Sequence, residues 1–157
     1  MSLKADRIHL DSAIDHFMNS TATRGGVVSH NATTASGAAM DQSESTVDYV
    51  ANPSGIMPRG VLMSDVVNLD LTRQHKNFHK EEVQVGGKVT IWPKCTVVTD
   101  FVYPGHTPLP GQLAYVGHSG FIGNVKVEAD DTWDHVIGRW VTGKNEDGFA
   151  KVTINLP

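Results

Sequence analysis

The chain has one cysteine, Cys95, among 157 residues. That excludes an intrachain disulfide and a multi-cysteine zinc site. Beside Pro93, in a stretch that alternates like a strand, Cys95 is expected as a packed thiol rather than a nucleophile. Charge is scarce too: Asp, Glu, Lys and Arg make up 19% of the residues and sum to −4 with histidine neutral. With no basic run, there is no electrostatic footprint for nucleic acid, and no nucleic-acid partner is expected. No stretch approaches the roughly 20 apolar residues of a membrane-spanning helix, so no membrane partner is expected. The opening MSLKADRIHLDSAIDHFMN has acids and histidines where a signal peptide would be apolar. The expectation is a soluble chain made in a reducing cytoplasm. The sequons Asn19-Ser20-Thr21 and Asn31-Ala32-Thr33 are then read as products of a Ser/Thr-rich composition.

Apolar residues are also missing between Asn19 and Gly55, where only Val27, Val28, Met40, Val47, Tyr49 and Val50 offer anchors. Ordering a residue costs about 1–2 kcal/mol of backbone entropy, and burial returns about 25 cal/mol per Å² of apolar area. Residues 1–55 are therefore expected to form an N-terminal arm that is mobile alone or ordered along another protein. Asp11 is placed to cap a short helix near 11–18, where Leu10, Ile14, Phe17 and Met18 share one helical face. Roughly 35 extended residues reach on the order of 120 Å, well past a domain a few tens of Å across. On this division a body starting at residue 56 folds by itself.

From Gly60 onward short strand signals recur between glycine and proline turns. Lys88–Trp92 alternates with period two, and Val152, Ile154 and Leu156 share one face at the end of the chain. Pro93 cannot donate to a ladder and is expected at an edge, a bulge or a strand end. This pattern predicts a mainly β fold over 56–157: a small antiparallel β-sandwich or barrel-like domain with an extended N-terminal arm. One polar stretch, Asp70 to Glu82, reads as a helix or an exposed loop. The tetrapeptide KVTI occurs at Lys88 and at Lys151, too short to define a repeat.

The chemistry-bearing residues form no recognisable catalytic or metal-binding motif. His75 and His79 would share a face of a helix, but Lys76 stands where a zincin has its glutamate. Asp130, Asp131, Asp134 and His135 surround Trp133 without the spacing of a calcium loop, and read as solvated. Gly117-His118-Ser119-Gly120 is a turn one residue short of a nucleophile elbow. No catalytic residue, metal or cofactor is therefore assigned.

Two blocks carry a resemblance. PRGVLMSDVVNLDLTRQHKNFHKEEVQVGGKVTIWPKCTVVTD, Pro58 to Asp100, resembles a segment of tailed-bacteriophage virion structural proteins. VIGRWVTGKNEDGFAKVTINLP, Val136 to Pro157, is similar to the ending of capsid decoration (cement) proteins, in which a Val-Gly-Arg-like strand, an acidic Asp-Gly turn and an alternating strand close a small β domain. The resemblance implies a non-enzymatic protein on the outer surface of a virion head, with the major capsid protein as partner and a homotrimer as the binding unit. Within it, Arg73, His75, Lys76, Asn77, Phe78, His79 and Lys80 are the expected capsid-contact residues, since they mix charge with one aromatic. Trp92 and Trp140 are expected as core or subunit-interface anchors. Two other readings stay open. In one, a head fibre or glycan-binding module, exposed Trp133, Tyr103 or Tyr115 stacks on sugar. In the other, a trimeric β enzyme uses Asp130 or Asp134.

Overall fold

A computed structural model describes residues 3–4, 7–31, 46–65, 69–70, 75–76, 81–128 and 131–157. The described strands, in chain order, are β1 (Ile8–Met18), β2 (Ala22–Thr23), β3 (Val27–His30), β4 (Thr46–Asp48), β5 (Pro58–Asp65), β6 (Leu69–Asp70), β7 (His75–Lys76), β8 (Glu82–Val83), β9 (Lys88–Thr99), β10 (Leu113–Val116), β11 (Ile122–Gly123), β12 (Val127–Glu128), β13 (Asp131–Thr132), β14 (Val136–Trp140) and β15 (Ala150–Asn155). The fold is mainly β, with a large mixed sheet and no α-helix among the described residues.

The organising strand is β9. Its twelve residues alternate without a break, odd positions buried and even ones outside, as a strand with one covered face should. Along one edge it pairs antiparallel with β1. Along the other it pairs first with β5, over Val89–Trp92, and then with β15, over Lys94–Thr99. Pro93 sits at the hand-over, where neither register requires its missing N–H, and its carbonyl accepts a hydrogen bond from Leu156 N at 2.9 Å. A β-irregularity, rather than a strand end, accommodates the proline.

Two connected units result. The order β1-β4-β3-β5-β9, with β1 pairing back to β9, closes a five-stranded barrel-like ring. The order β9-β15-β14-β10-β11 continues as an open sheet. Met18, Val28, Val47, Leu62, Val83, Val89 and Ile91 fill the ring. A second core, which includes Val27, Val61, Met63, Cys95, Val97, Trp140, Val152 and Ile154, lies under the open sheet. Neighbouring residues of β3 and β5 enter opposite cores: Val27 and Val61 one, Val28 and Leu62 the other. These strands form a wall buried on both faces, which explains their consecutive rather than alternating apolar residues.

This architecture corrects two expectations. Residues 11–18 are strand, not helix, because β9 offers a ladder along Ile8–Phe17 and a short isolated helix has no comparable partner. The division at residue 55 also fails for the described part of 1–55, since β1, β3 and β4 are ring strands. Tyr49 adds an anchor there: its hydroxyl donates to Thr23 O at 2.6 Å and accepts from Gly26 N at 2.9 Å. Residues 32–45 lie outside the described residues.

Candidate interaction surface

The expected contact segment is only partly described. His75 and Lys76 form β7, opposite Asp70 and Leu69 of β6. His75 and Lys76 are therefore in a strand rather than a helix. Arg73, Asn77, Phe78, His79 and Lys80, and the side chains of His75 and Lys76, lie outside the described residues.

A different surface is visible on the open sheet. β10, β14 and β15 bring Leu113, Arg139 and Thr153 side by side in register. A β-bulge follows, with Gly138 opposite Ala114 but Val136 opposite Tyr115, so Ile137 is the additional residue. The bulge turns Ile137 into the core and leaves Val136 outside. Gly138 keeps the strands close here, since a Cβ would run into the Thr153 carbonyl. The result is an open groove of about 620 Å³ lined by Leu113, Val136, Gly138, Arg139, Val141 and Thr153, among others. Among the described residues of its lining Arg139 supplies the only charge, and it donates from Nη1 to Gly111 O at 3.0 Å.

The second exposed apolar feature is β1. Ile8, Leu10 and Ile14 stand in solvent, Leu10 at 75% exposure. β4 pairs with β1 only at Phe17 and Met18, so among the described residues the outer edge of Ile8–Asp15 carries no strand. Register shifts at three points along the β1–β9 ladder disturb its alternation. Apolar residues grouped on a sheet edge, rather than scattered singly, mark an association surface.

The polar side chains are engaged in holding strands. Arg59 Nε donates to His16 Nε2 at 2.7 Å, joining β5 to β1, and His30 of β3 meets the His16 ring edge-on at 5.5 Å. Because arginine only donates, His16 Nε2 must be unprotonated here. Burial, and after it the Arg59 guanidinium, holds the His30 pKa below the ordinary imidazole value. A depressed folded value means that stability is present above the unfolded pKa and is lost as pH falls through the folded one. The urea midpoint should therefore drop between about pH 7 and about pH 5, and His30→Gln should remove part of the drop. An equal drop in that variant would place the acid sensitivity elsewhere.

The Trp133 region differs most from its reading as an exposed, solvated loop. Trp133 is 0% exposed. Tyr103 and His118 meet its ring edge-on at 4.9 and 5.6 Å, and His106 packs at 5.5 Å. His118 is held in turn by a 2.6 Å contact from Nδ1 to Ala51 O, and Asp134 approaches Ser54 Oγ at 3.3 Å. Asp130 lies outside the described residues, as does the side chain of Asp131. Tyr103 and Tyr115 are half-buried. Trp140 is a core residue whose Nε1 donates to Gly123 O at 3.2 Å, while Trp92, partly buried, stacks on His9 at 4.7 Å. Cys95 is buried, and burial pushes its thiol up to about 12. No cluster of three or more metal-ligating side chains occurs among the described residues. No family model, curated protein or solved structure matches the chain.

Sequence reasoning missed the groove because its rim depends on a bulge. The one available signal was the outward series Val136, Arg139, Val141 around Gly138.

Proposed function

We propose that the chain is a non-enzymatic decoration (cement) protein, which binds the outer surface of a phage head and stabilises the shell by bridging major capsid subunits. The observation that carries this reading is the placement of apolar side chains outside the two cores: Ile8, Leu10 and Ile14 on β1, and Val136 and Val141 at the groove. A rigid sheet that presents two apolar surfaces suits protein contacts. The likeness of Pro58–Asp100 and Val136–Pro157 to virion proteins supports the same reading, and the second block supplies β14 and β15 of the groove.

The physical mechanism is linkage: a protein that binds only the expanded shell shifts its stability by mass action. Several modest contacts from one homotrimer add avidity through effective concentration. The Arg73–Lys80 segment, with its cations and Phe78, belongs to the proposal as a further shell contact. A glycan-binding head fibre is the weaker reading, because the buried ring of Trp133 offers no face to a sugar.

Cosedimentation tests the proposal. Purified protein should saturate mature heads built from the major capsid protein of the same genome, should leave unexpanded heads bare, and should raise the melting temperature of the heads it binds. Mature heads that retain no protein at micromolar concentration would overturn it.

A further inference from the structure

Two exposed apolar features lie on one sheet but cannot meet within one molecule. The groove is built on β10, β14 and β15, whereas β1 is bound to the far edge of β9. Three strand spacings separate β1 from β14, about 14 Å. A second copy of the chain can bury both features in one contact.

We propose that residues Ile8–Asp15 of one copy dock in the β10–β14–β15 groove of the next, in a head-to-tail contact between copies of this chain. The two surfaces differ in charge as the contact requires. The docking strand carries Asp11 and Asp15, both exposed, beside Ile8, Leu10 and Ile14. Among the described residues the groove lining has no acidic side chain and one exposed cation, Arg139, beside Leu113, Val136 and Val141. Aliphatic side chains meet aliphatic ones while carboxylates face a guanidinium, a combination that gives both burial and orientation.

The geometry has a consequence for assembly. A contact between two different patches is heterologous and continues from copy to copy until it closes into a ring or grows into a filament. Closure at three copies gives the trimer of the functional proposal. The contact rests on the homotrimer of the functional proposal and takes up these apolar surfaces within it, leaving head contact to other parts of the chain. Sedimentation of the free chain and cosedimentation with heads read the two failures separately.

Sedimentation equilibrium of the full chain tests it. The wild type should self-associate, and added salt should weaken the association. Leu10→Asp, which blocks the strand, and Val136→Asp, which blocks the groove, should each weaken it at least about 10-fold. Both residues are exposed, and circular dichroism checks that the fold is kept. If either variant misfolds, Ile8→Asp and Arg139→Glu serve as the second pair.

Mixing the two variants is the decisive step. Each retains one intact surface, so an equimolar mixture should form one-to-one pairs and nothing larger. A wild type that stays monomeric at about 100 µM, far above ordinary specific affinities, would overturn the proposal. So would variants that associate like the wild type, or a mixture that stays monomeric. Loss of association in Leu10→Asp alone would also overturn it, since that is the signature of strand-to-strand pairing about a two-fold axis.

Discussion

A chain that begins at Ile56 should fail to fold. Removing Met1 to Gly55 takes away β1, β3 and β4, three strands of the five-stranded ring. β9 then loses its partner along Lys88–Thr96, and β5 loses β3. Met18, Val28 and Val47 leave the core, and Leu62, Val83, Val89 and Ile91 face water. Each fully buried aliphatic side chain contributes about 1.5–3 kcal/mol, so the three deleted ones alone account for about 5–9 kcal/mol. That rivals the whole stability of a typical domain, about 5–15 kcal/mol. Losing Val27 opens the second core as well. The truncated protein should show no cooperative urea transition and should bind a hydrophobic dye. A sharp transition with dispersed amide resonances for 56–157 would mean that the ring is dispensable and that the N-terminal region is an arm after all.

The contrast with the sequence-based expectation has a specific origin. Counting apolar residues from Asn19 to Gly55 measures how much a segment can bury, not where it is buried. Val27 and Val28 serve two cores at once, which makes two small residues worth more than their number suggests. Tyr49 adds two backbone hydrogen bonds that no hydropathy count registers. The opening segment was ambiguous for a different reason. Leu10, Ile14, Phe17 and Met18 fit a helical spacing, yet Ile8, Leu10 and Ile14 also fit period two. The ladder offered by β9, some eighty residues away in sequence, decides between them.

The body was more legible. Period-two alternation marks Lys88–Trp92, the first part of β9, and Val152–Leu156 of the β15 region, because each strand has one face on a core and one outside. Pro93 is expected at an edge, a bulge or a strand end, and choosing among these, at the exchange of partners, needs the topology. The candidate surface was nearly illegible, since a bulge reverses the parity of β14 and places Ile137 inside where simple alternation leaves it out. Trp133 gave a misleading signal. Its neighbours Asp130, Asp131, Asp134 and His135 are polar, and a polar context in sequence does not report what folds over a ring from elsewhere.

Trp133→Ala should therefore be among the most destabilising single substitutions in the chain. The indole occupies a slot whose walls come from separate parts of the molecule: Tyr103 and His106 from one loop, His118 from a turn, and the backbone of Gly117 and Gly123. A Cβ on Gly117 would lie 2.9 Å from the ring, and one on Gly123 would collide with it. Gly123 also accepts from Trp140 Nε1, so it lies between two indoles, and a change at Trp133 reaches the second core. Truncating a buried tryptophan costs about 3–5 kcal/mol, because the rigid walls cannot collapse onto the space. Gly123→Ala should be destabilising too, by pushing the ring out of the same slot rather than emptying it. The two losses should not add in the double variant, since alanine at 133 leaves room for the new methyl group. Urea denaturation of the three variants measures this directly. A loss below about 1 kcal/mol for Trp133→Ala, the range of a surface change, would show the ring to be peripheral and would return it to the candidates for contact with a ligand.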